Sequence, residues 1–391
     1  MLRTRLSAVV GSENISINDA AGCVLAENIQ APRPHPPKPN SAVDGYGFTG
    51  ESIGEGPQHL PLIAGRAAAG KAFEGTVPKG SAIRILTGAT LPDGVDTVIL
   101  EEDVNADDTS IAFNGPLKSG ANARKAGEDV QRGAQVLSKG RVLTPADLGL
   151  LSAVGVSQVR VGQKLRVAVL STGDEVVEPG SPATLDQIYD ANRPMLLALI
   201  ERWGFTPVDM GRAPDDRAAL ADRLDQAAEC ADVILTSGGA SAGDEDHMSA
   251  LLSATGSLAL WRIALKPGRP LALGVWKNRP VFGFPGNPVA VLICALIFAR
   301  PSLGLLAGAG WSKPQGFMVP AAFVKNKKPG RREYLRARMS RDGTAEIFPS
   351  EGSGRISGLS WAEGLIEIED GPRSIQPGDL VRFLPFASFD G

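Results

Sequence analysis

The sequence predicts a multidomain α/β and β protein: a central three-layer α/β domain with a mainly parallel sheet, a small β-domain inserted ahead of it, and a second small β-domain behind it. Three observations carry this. At 391 residues the chain is longer than one hydrophobic core can serve, so roughly two to four domains are expected. Two apolar β-branched runs, Leu165–Leu170 and Val233–Leu235, each stop at small polar residues and glycine followed by acids, with helical patterns between them. Two glycine- and proline-rich stretches, about 47–122 and from about 313 onward, hold short β-branched runs and no helical period.

A hydrophobic fraction of 43% is ample for buried cores. Forty basic against 43 acidic side chains, a formal net charge of −3, give no basic excess of the kind nucleic-acid binding needs, so an anionic ligand must be held by local groups. Cys23, Cys230 and Cys294 form no CxxC, and two of them lie in apolar helical patterns, as reduced core cysteines do in a reducing compartment. The apolar run Leu6–Val10 is too short for a signal sequence, and the longest run, Val289–Ala299, is about half the roughly 20 residues of a membrane span. The expectation is a soluble cytoplasmic protein with no nucleic-acid or membrane partner.

Residues 1 to about 31 form a mixed segment in which Val24, Leu25 and Ile29 alternate with small and polar residues. Pro32, Pro34, Pro36, Pro37 and Pro39 then exclude helix and central strand, so an extended linker leads to Asn40–Phe48, where Asp44-Gly45 marks a fixed turn. In the inserted β-region Ala82–Leu86 and Asp96–Leu100 read as strands, the first ending in the hydroxyl-bearing loop Thr87-Gly88-Ala89-Thr90. Arg124–Val130, two cations and two acids around Gly127, reads as a solvated turn on composition alone. Thr144 as N-cap and Pro145 at the first helical position open a helix to Val154.

The central strand Leu165–Leu170 feeds the loop Ser171-Thr172-Gly173-Asp174-Glu175. Asn192 is expected to cap a helix ending at Gly204, and Asp215 or Asp216 another to about Glu229. That helix delivers the chain into Val233–Leu235, a strand covered on both faces, whose glycine-rich loop up to His247 leaves backbone N–H groups for an anion at the strand's carboxyl end. This succession argues for a parallel sheet. Strands follow at Ala259–Ala264 and Leu271–Val275, separated by the proline-braced turn Lys266-Pro267-Gly268-Arg269-Pro270. Val281–Phe284 then leads into Pro285-Gly286-Asn287-Pro288 and a helix whose N-terminus can hold an anion or a polar ring.

Asp174, Glu175, Asp244, Glu245 and Asp246 thus gather at strand ends, with Lys266, Arg269, Arg331 and Arg336 as cations. A carboxylate beside an anionic substrate repels it by about 4 kcal/mol for unit charges about 4 Å apart at an effective dielectric of about 20. A divalent cation reverses that sign. Magnesium suits one or two carboxylates plus substrate oxygens, whereas zinc wants His and Cys ligands that this chain does not cluster. His247 reads as a hydrogen-bonding loop residue rather than a ligand. No Ser-His-Asp spacing or Walker lysine supports acyl transfer or an ordinary NTPase.

Seven motifs in order, SAVDGYGF at 41–48, RILTGATLPDGVDTV at 84–98, GEDV at 127–130, STGDE at 171–175, TSGGASAGD at 236–244, KPGRP at 266–270 and GFPGNPVAV at 283–291, closely resemble the molybdopterin molybdenumtransferases, the MoeA and gephyrin E-domain family. The resemblance covers nearly the whole chain. It implies four domains: a discontinuous N-terminal dimerisation domain (1–40 plus 123–162), the inserted β-domain (41–122), an α/β molybdopterin-binding domain (163–312) and a C-terminal β-barrel (313–391). It also implies a homodimer with the active site between subunits, insertion of molybdate into adenylylated molybdopterin with magnesium-dependent release of AMP, and the molybdopterin adenylyltransferase as a partner.

Carried over residue by residue, the resemblance makes Asp44, Thr87, Asp129, Glu175, Asp246 and Lys266 the catalytic set. Glu175 and Asp246, or Asp244, become the metal ligands. Ser171, Thr172, Gly173, Ser237, Gly238, Gly239, Ser241, Arg269, Pro285, Gly286 and Asn287 become the pterin- and phosphate-binding set. Arg269 stands where lysine is more usual in the family, keeping the charge but offering a planar fork. Pro39 replaces an acid, and Asp244-Glu245-Asp246 is one acid richer than some relatives. Two other functions of related folds stay open on sequence alone: a dimeric scaffold of the gephyrin type and a molybdate-independent nucleotide pyrophosphatase.

Overall fold

The computed structural model describes residues 2–238, 247–254, 259–262, 264–268, 270–352 and 354–390. At its centre lies a six-stranded sheet built from β1 (Arg166–Thr172), β2 (Thr206–Ala213), β3 (Val233–Ser237), β4 (Ala259–Arg262), β5 (Pro270–Trp276) and β6 (Arg279–Phe284), in the order β2-β1-β3-β6-β5-β4. β2, β1, β3 and β6 run parallel, with Ile234 opposite both Ala168 and Val281. The sheet is thus mainly parallel, as expected, with β5 and β4 added antiparallel at one edge. The reason is local. Lys277 and Asn278, both at positive φ (44° and 64°), make a two-residue hairpin that pairs Trp276 with Arg279 and turns the chain straight back.

The strands alternate between two cores, which is why β3 is an unbroken apolar run. Val167, Val169, Val233 and Leu235 face a cluster with Leu196 and Ile200 of α1 (Asn192–Arg202) and with Val289 to Leu296 of the helix that starts at Pro288. Ala168, Leu170 and Ile234 face Leu220 and Leu224 of α2 (Arg217–Cys230) and Met248 and Leu252 of α3 (His247–Ala254). Helices therefore cover both faces, giving the three layers. Asp216 caps α2 by accepting from the Ala219 N–H at 2.8 Å, as expected.

Pro288–Leu306 forms 19 continuous helical residues with mean hydropathy 2.2, long and apolar enough to cross a membrane by length and composition. It is a core helix instead: 83% of the apolar window is buried in the protein. Arg300, which bounds the run in the sequence, is buried and donates from Nε to the Phe389 carbonyl (2.9 Å) and from Nη2 to that of Asp390 (3.1 Å).

Before the central sheet, three short antiparallel ladders join the first stretch of chain to the part after the insert: Ser12–Ser16 with Gln158–Gly162, Ile29–Gln30 with Gln135–Leu137, and Asn40–Ser41 with Ala123–Arg124. Leu25, Ile29, Leu137, Leu143 and Leu151 share one cluster between them. The proline stretch is tied in rather than free, since the His35 N–H donates to the Val130 carbonyl at 2.7 Å. Thr144 and Asp147 form a reciprocal capping box on Pro145–Ala153. Between the two halves, strands from Gly45–Phe48 through Ser110–Gly115 form a separate six-stranded sheet.

After the central sheet, Phe317–Pro320, Leu380–Pro385, Gly364–Ile368, Arg332–Met339 and Ala345–Ile347 form a curled sheet around Phe323, Leu335, Ile366 and Phe383. A single parallel bridge between Ala321 and Ala345 joins its two ends. Leu265–Lys266 adds a short parallel strand to it beside Arg332–Glu333, so the turn before β5 is stitched to the C-terminal part.

Candidate active site

The carboxyl ends of β1, β3 and β6 meet in a cleft of about 80 Å³. Of the residues expected from sequence, Ser171, Thr172, Glu175, Ser237, Gly238 and Gly286 line it together, with Asp190 and Asn192 added by the structure. Its keystone is Asn192, which is buried. Its Nδ2 donates to Ser237 Oγ and to the Gly286 carbonyl, both at 2.7 Å, tying the ends of β3 and β6 to the start of α1. Asn192 was expected to be the N-cap of α1. Its side chain makes no cap bond. Instead Asp190 Oδ1 accepts the N–H groups of Asn192 (3.1 Å) and Arg193 (3.0 Å). Among the described residues, the Ser171 hydroxyl and Asn192 Oδ1 are buried without a hydrogen-bond partner.

Gly238 contributes by having no side chain. At φ +94° a Cβ would lie 2.7 Å from Thr172 Oγ1 and 2.8 Å from its carbonyl oxygen, so β1 and β3 close tightly only around glycine. Its N–H is not free for an anion, because it donates to the Phe284 carbonyl at 3.1 Å. Asn287 Oδ1 accepts from the N–H groups of Val289 and Ala290, so this side chain caps its helix. Glu175 is exposed at the mouth of the cleft, and its carbonyl receives the Ile188 N–H at 2.8 Å. Gly239, Ser241, Asp244, Asp246 and Arg269 lie outside the described residues.

A buried guanidinium fastens the segment that carries Glu175. Arg193 donates to Asp190 (3.2 Å), to both oxygens of Asp209 on β2 (2.6 and 2.7 Å), and to Glu178. Burial pushes the Asp209 carboxyl up, but the bonds from Arg193 and the Gly211 N–H outweigh it and hold it below the usual range.

Lys266 sits elsewhere, in a ring of alternating charge between the central sheet and the C-terminal part. It pairs with Glu351 (2.8 Å) and Glu333 (3.5 Å), while Lys325 pairs with Glu333 (3.1 Å) and Glu351. The Glu351 hydrogen bond raises the Lys266 pKa further. A small cavity there is lined by Lys266, Pro267, Tyr334, Arg336, Ser350 and Glu351. Arg336 is buried against the Phe348 ring at 4.8 Å, and burial lowers its pKa.

Asp44 and Thr87 form a third group, in the inserted sheet. Gly45 places the acid: its Cβ would sit 1.8 Å from the Ile99 carbonyl oxygen, so only glycine passes there. Asp44 Oδ1 accepts the Thr87 N–H (2.6 Å) and hydroxyl (2.7 Å), which hold its carboxyl below the usual range. Asp129 is exposed in the turn against His35. Among the described residues, no hydrogen bond or ion pair joins 41–122 to the central sheet, and neither Asp44 nor Thr87 lines the cleft.

Family models match the chain along its length: MoeA N-terminal region (domain I and II) over residues 1–155, a probable molybdopterin binding domain over 168–304, and MoeA C-terminal region (domain IV) over 319–386. A molybdopterin molybdenumtransferase of Haemophilus influenzae is 36% identical over 96% of this chain and 94% of its own. The chain belongs to the MoeA family. The expectation from the seven motifs is met. Molybdopterin molybdenumtransferase 2 of Mycobacterium tuberculosis is 33% identical over 94% of this chain and 93% of its own. A crystal structure of a molybdopterin biosynthesis MoeA protein from Pyrococcus horikoshii superposes with a TM-score of 0.81 at 31% identity, covering 100% of this chain and 97% of that one.

Two outcomes test this geometry. Asn192→Ala leaves the Ser237 hydroxyl and the Gly286 carbonyl unpaired and is expected to cost about 1–3 kcal/mol in denaturant unfolding; an unchanged midpoint and slope would show that the bridge carries no load. Arg193→Gln removes the partner of the buried Asp190, as well as of the exposed Asp209, and should cost about 3 kcal/mol near neutral pH. Because the folded Asp209 pKa is depressed, its contribution is present above the unfolded value of about 3.9 and is lost as pH falls through the folded one. The gap between wild type and variant should therefore narrow below about pH 4; a gap that widens on acidification contradicts the assignment.

Proposed function

We propose that this protein is a molybdopterin molybdenumtransferase that inserts molybdate into adenylylated molybdopterin and releases AMP. The observation that carries the reading is the convergence of small polar residues at three neighbouring parallel strand ends, in a chain matched from end to end by one family. The pterin end of the substrate enters the cleft, where the Ser171 hydroxyl and Asn192 Oδ1 supply the bonds its ring nitrogens and oxygens need. Gly239 and Ser241, with Arg269, receive phosphate oxygens. Molybdate, as substrate, goes to the cavity of Lys266 and Arg336, two cations facing one space.

Glu175 and Asp246, or Asp244, would hold magnesium. Among the described residues no three potential ligands gather, but magnesium needs only one or two carboxylates when substrate oxygens and water complete its shell. An oxygen-only donor set without a Cys/His cluster suits that hard cation. Bound there, the ion offsets the charge of the diphosphate. The chain's own part is to orient a water through a carboxylate and to align the dithiolene with molybdate.

The reading further places the dimerisation domain at 1–40 plus 123–162, the inserted domain at 41–122, the α/β domain at 163–312 and a C-terminal barrel at 313–391, in a cytoplasmic homodimer. Separation of Asp44 and Thr87 from the cleft supports a site completed by a second copy, with Asp44, Thr87 and Asp129 arriving from the partner. The molybdopterin adenylyltransferase would deliver the substrate.

AMP formation from adenylyl-molybdopterin, measured with and without molybdate, separates the alternatives. Molybdate-dependent release that Glu175→Gln and Asp246→Asn abolish is expected. Release without molybdate marks a pyrophosphatase, and no release marks a scaffold. A mixture of inactive Asp44→Asn and Glu175→Gln proteins, allowed to exchange subunits, should recover about a quarter of wild-type activity, since half the dimers then hold one intact site. No recovery despite exchange would place both residues in one chain's site.

A further inference from the structure

The cavity assigned to molybdate is nearly full. Only about 20 Å³ remains, room for one water and far less than a tetrahedral oxyanion of a heavy metal needs. The group that fills it electrostatically is Glu351. Three cations meet at this place, Lys266, Lys325 and Arg336, against two carboxylates, Glu333 and Glu351. The ring has an inner and an outer half. The Lys325 and Glu333 side chains are 9% and 10% exposed, whereas those of Lys266 and Glu351 are 35% and 39% exposed. Glu333 and Lys325 sit on strands of the C-terminal part, at Arg332–Met339 and Lys325–Lys327. Glu351 lies outside any strand or helix, next to Ser350 and Gly352, whose carbonyls accept from Arg336.

We infer that Glu351 is an exchangeable counter-ion that a doubly charged oxyanion must displace from Lys266 and Lys325, making it a specificity-determining residue for molybdate. This rests on the molybdate reading of the cavity. With Glu351 swung out, three cations and the single carboxylate of Glu333 leave two positive charges, which a dianion neutralises and a monoanion does not. Displacement also opens the space the oxyanion lacks. Glu333 cannot serve the same role, because it is buried between Lys266 and Lys325 and the Lys266 strand pairs with its own. The site thus rejects monoanions by leaving its own carboxylate in place, a selection made by competition rather than by shape.

The probes are molybdate and perrhenate, tetrahedral anions of similar size with two charges and one, titrated calorimetrically into the full-length protein. Wild type should bind molybdate and discriminate strongly against perrhenate. Glu351→Gln keeps the size of the side chain and removes its charge; it should bind molybdate about tenfold tighter, a difference of about 1.4 kcal/mol, and gain perrhenate binding. Lys266→Met should weaken both. Unchanged or weaker molybdate binding in Glu351→Gln, with wild-type binding lost in Lys266→Met, overturns the exchange and spares the molybdate site. Molybdate binding that ignores Lys266→Met and Arg336→Met overturns both. Glu351→Ala gives a second reading of the same loss of charge, and near-ultraviolet dichroism identifies any variant that has lost its packing.

Discussion

The bonds from one amide hold the site together. Asn192 Nδ2 reaches Ser237 Oγ, 45 residues on, and the Gly286 carbonyl, 94 residues on, so that three separate stretches of chain are fixed at one point. Everything else in the cleft depends on that placement. Gly238 lets β1 and β3 close, Asp190 turns the chain into α1, and Arg193 anchors the segment bearing Glu175 to β2. A buried amide with two acceptors in reach is stable only while both are present, which makes the cleft a single cooperative unit.

The strands and helices were legible in the sequence wherever burial is uniform. Val233–Leu235 reads as a two-sided strand because both of its faces meet helices, and Thr144-Pro145 and Asp216 announce their helices by bonds within three residues. The Asn192 bridge was illegible for the opposite reason. An asparagine just before Arg193-Pro194 has the local signature of a cap, and only tertiary contacts show that Asp190 takes that task. The two antiparallel strands had a signal that periodicity does not weigh: the two-residue loop Lys277-Asn278 between apolar runs.

The candidate site divides in the same way. Ser171, Thr172, Glu175, Ser237 and Gly286 were legible because strand ends in an open sheet converge by topology alone. The partners of Lys266 were not. Glu333, Lys325 and Glu351 lie 59 to 85 residues downstream in a part of the chain that reads only as short strands and turns. Their charges look like ordinary surface in the sequence and become a closed ring only when the Lys266 strand joins the C-terminal sheet. Two different spaces result, a polar cleft at the strand ends edged by Glu175 and Asp190 and a small cavity set among charged side chains. Asp44 and Thr87 stand apart from both.

The central claim is that the pterin binds at the strand ends under Asn192. A crystal structure of the protein soaked with molybdopterin or its adenylylated form tests it most directly. Ligand density contacting Ser171, Asn192 and Ser237 is expected; density in another cavity, with this cleft filled by solvent, would contradict it.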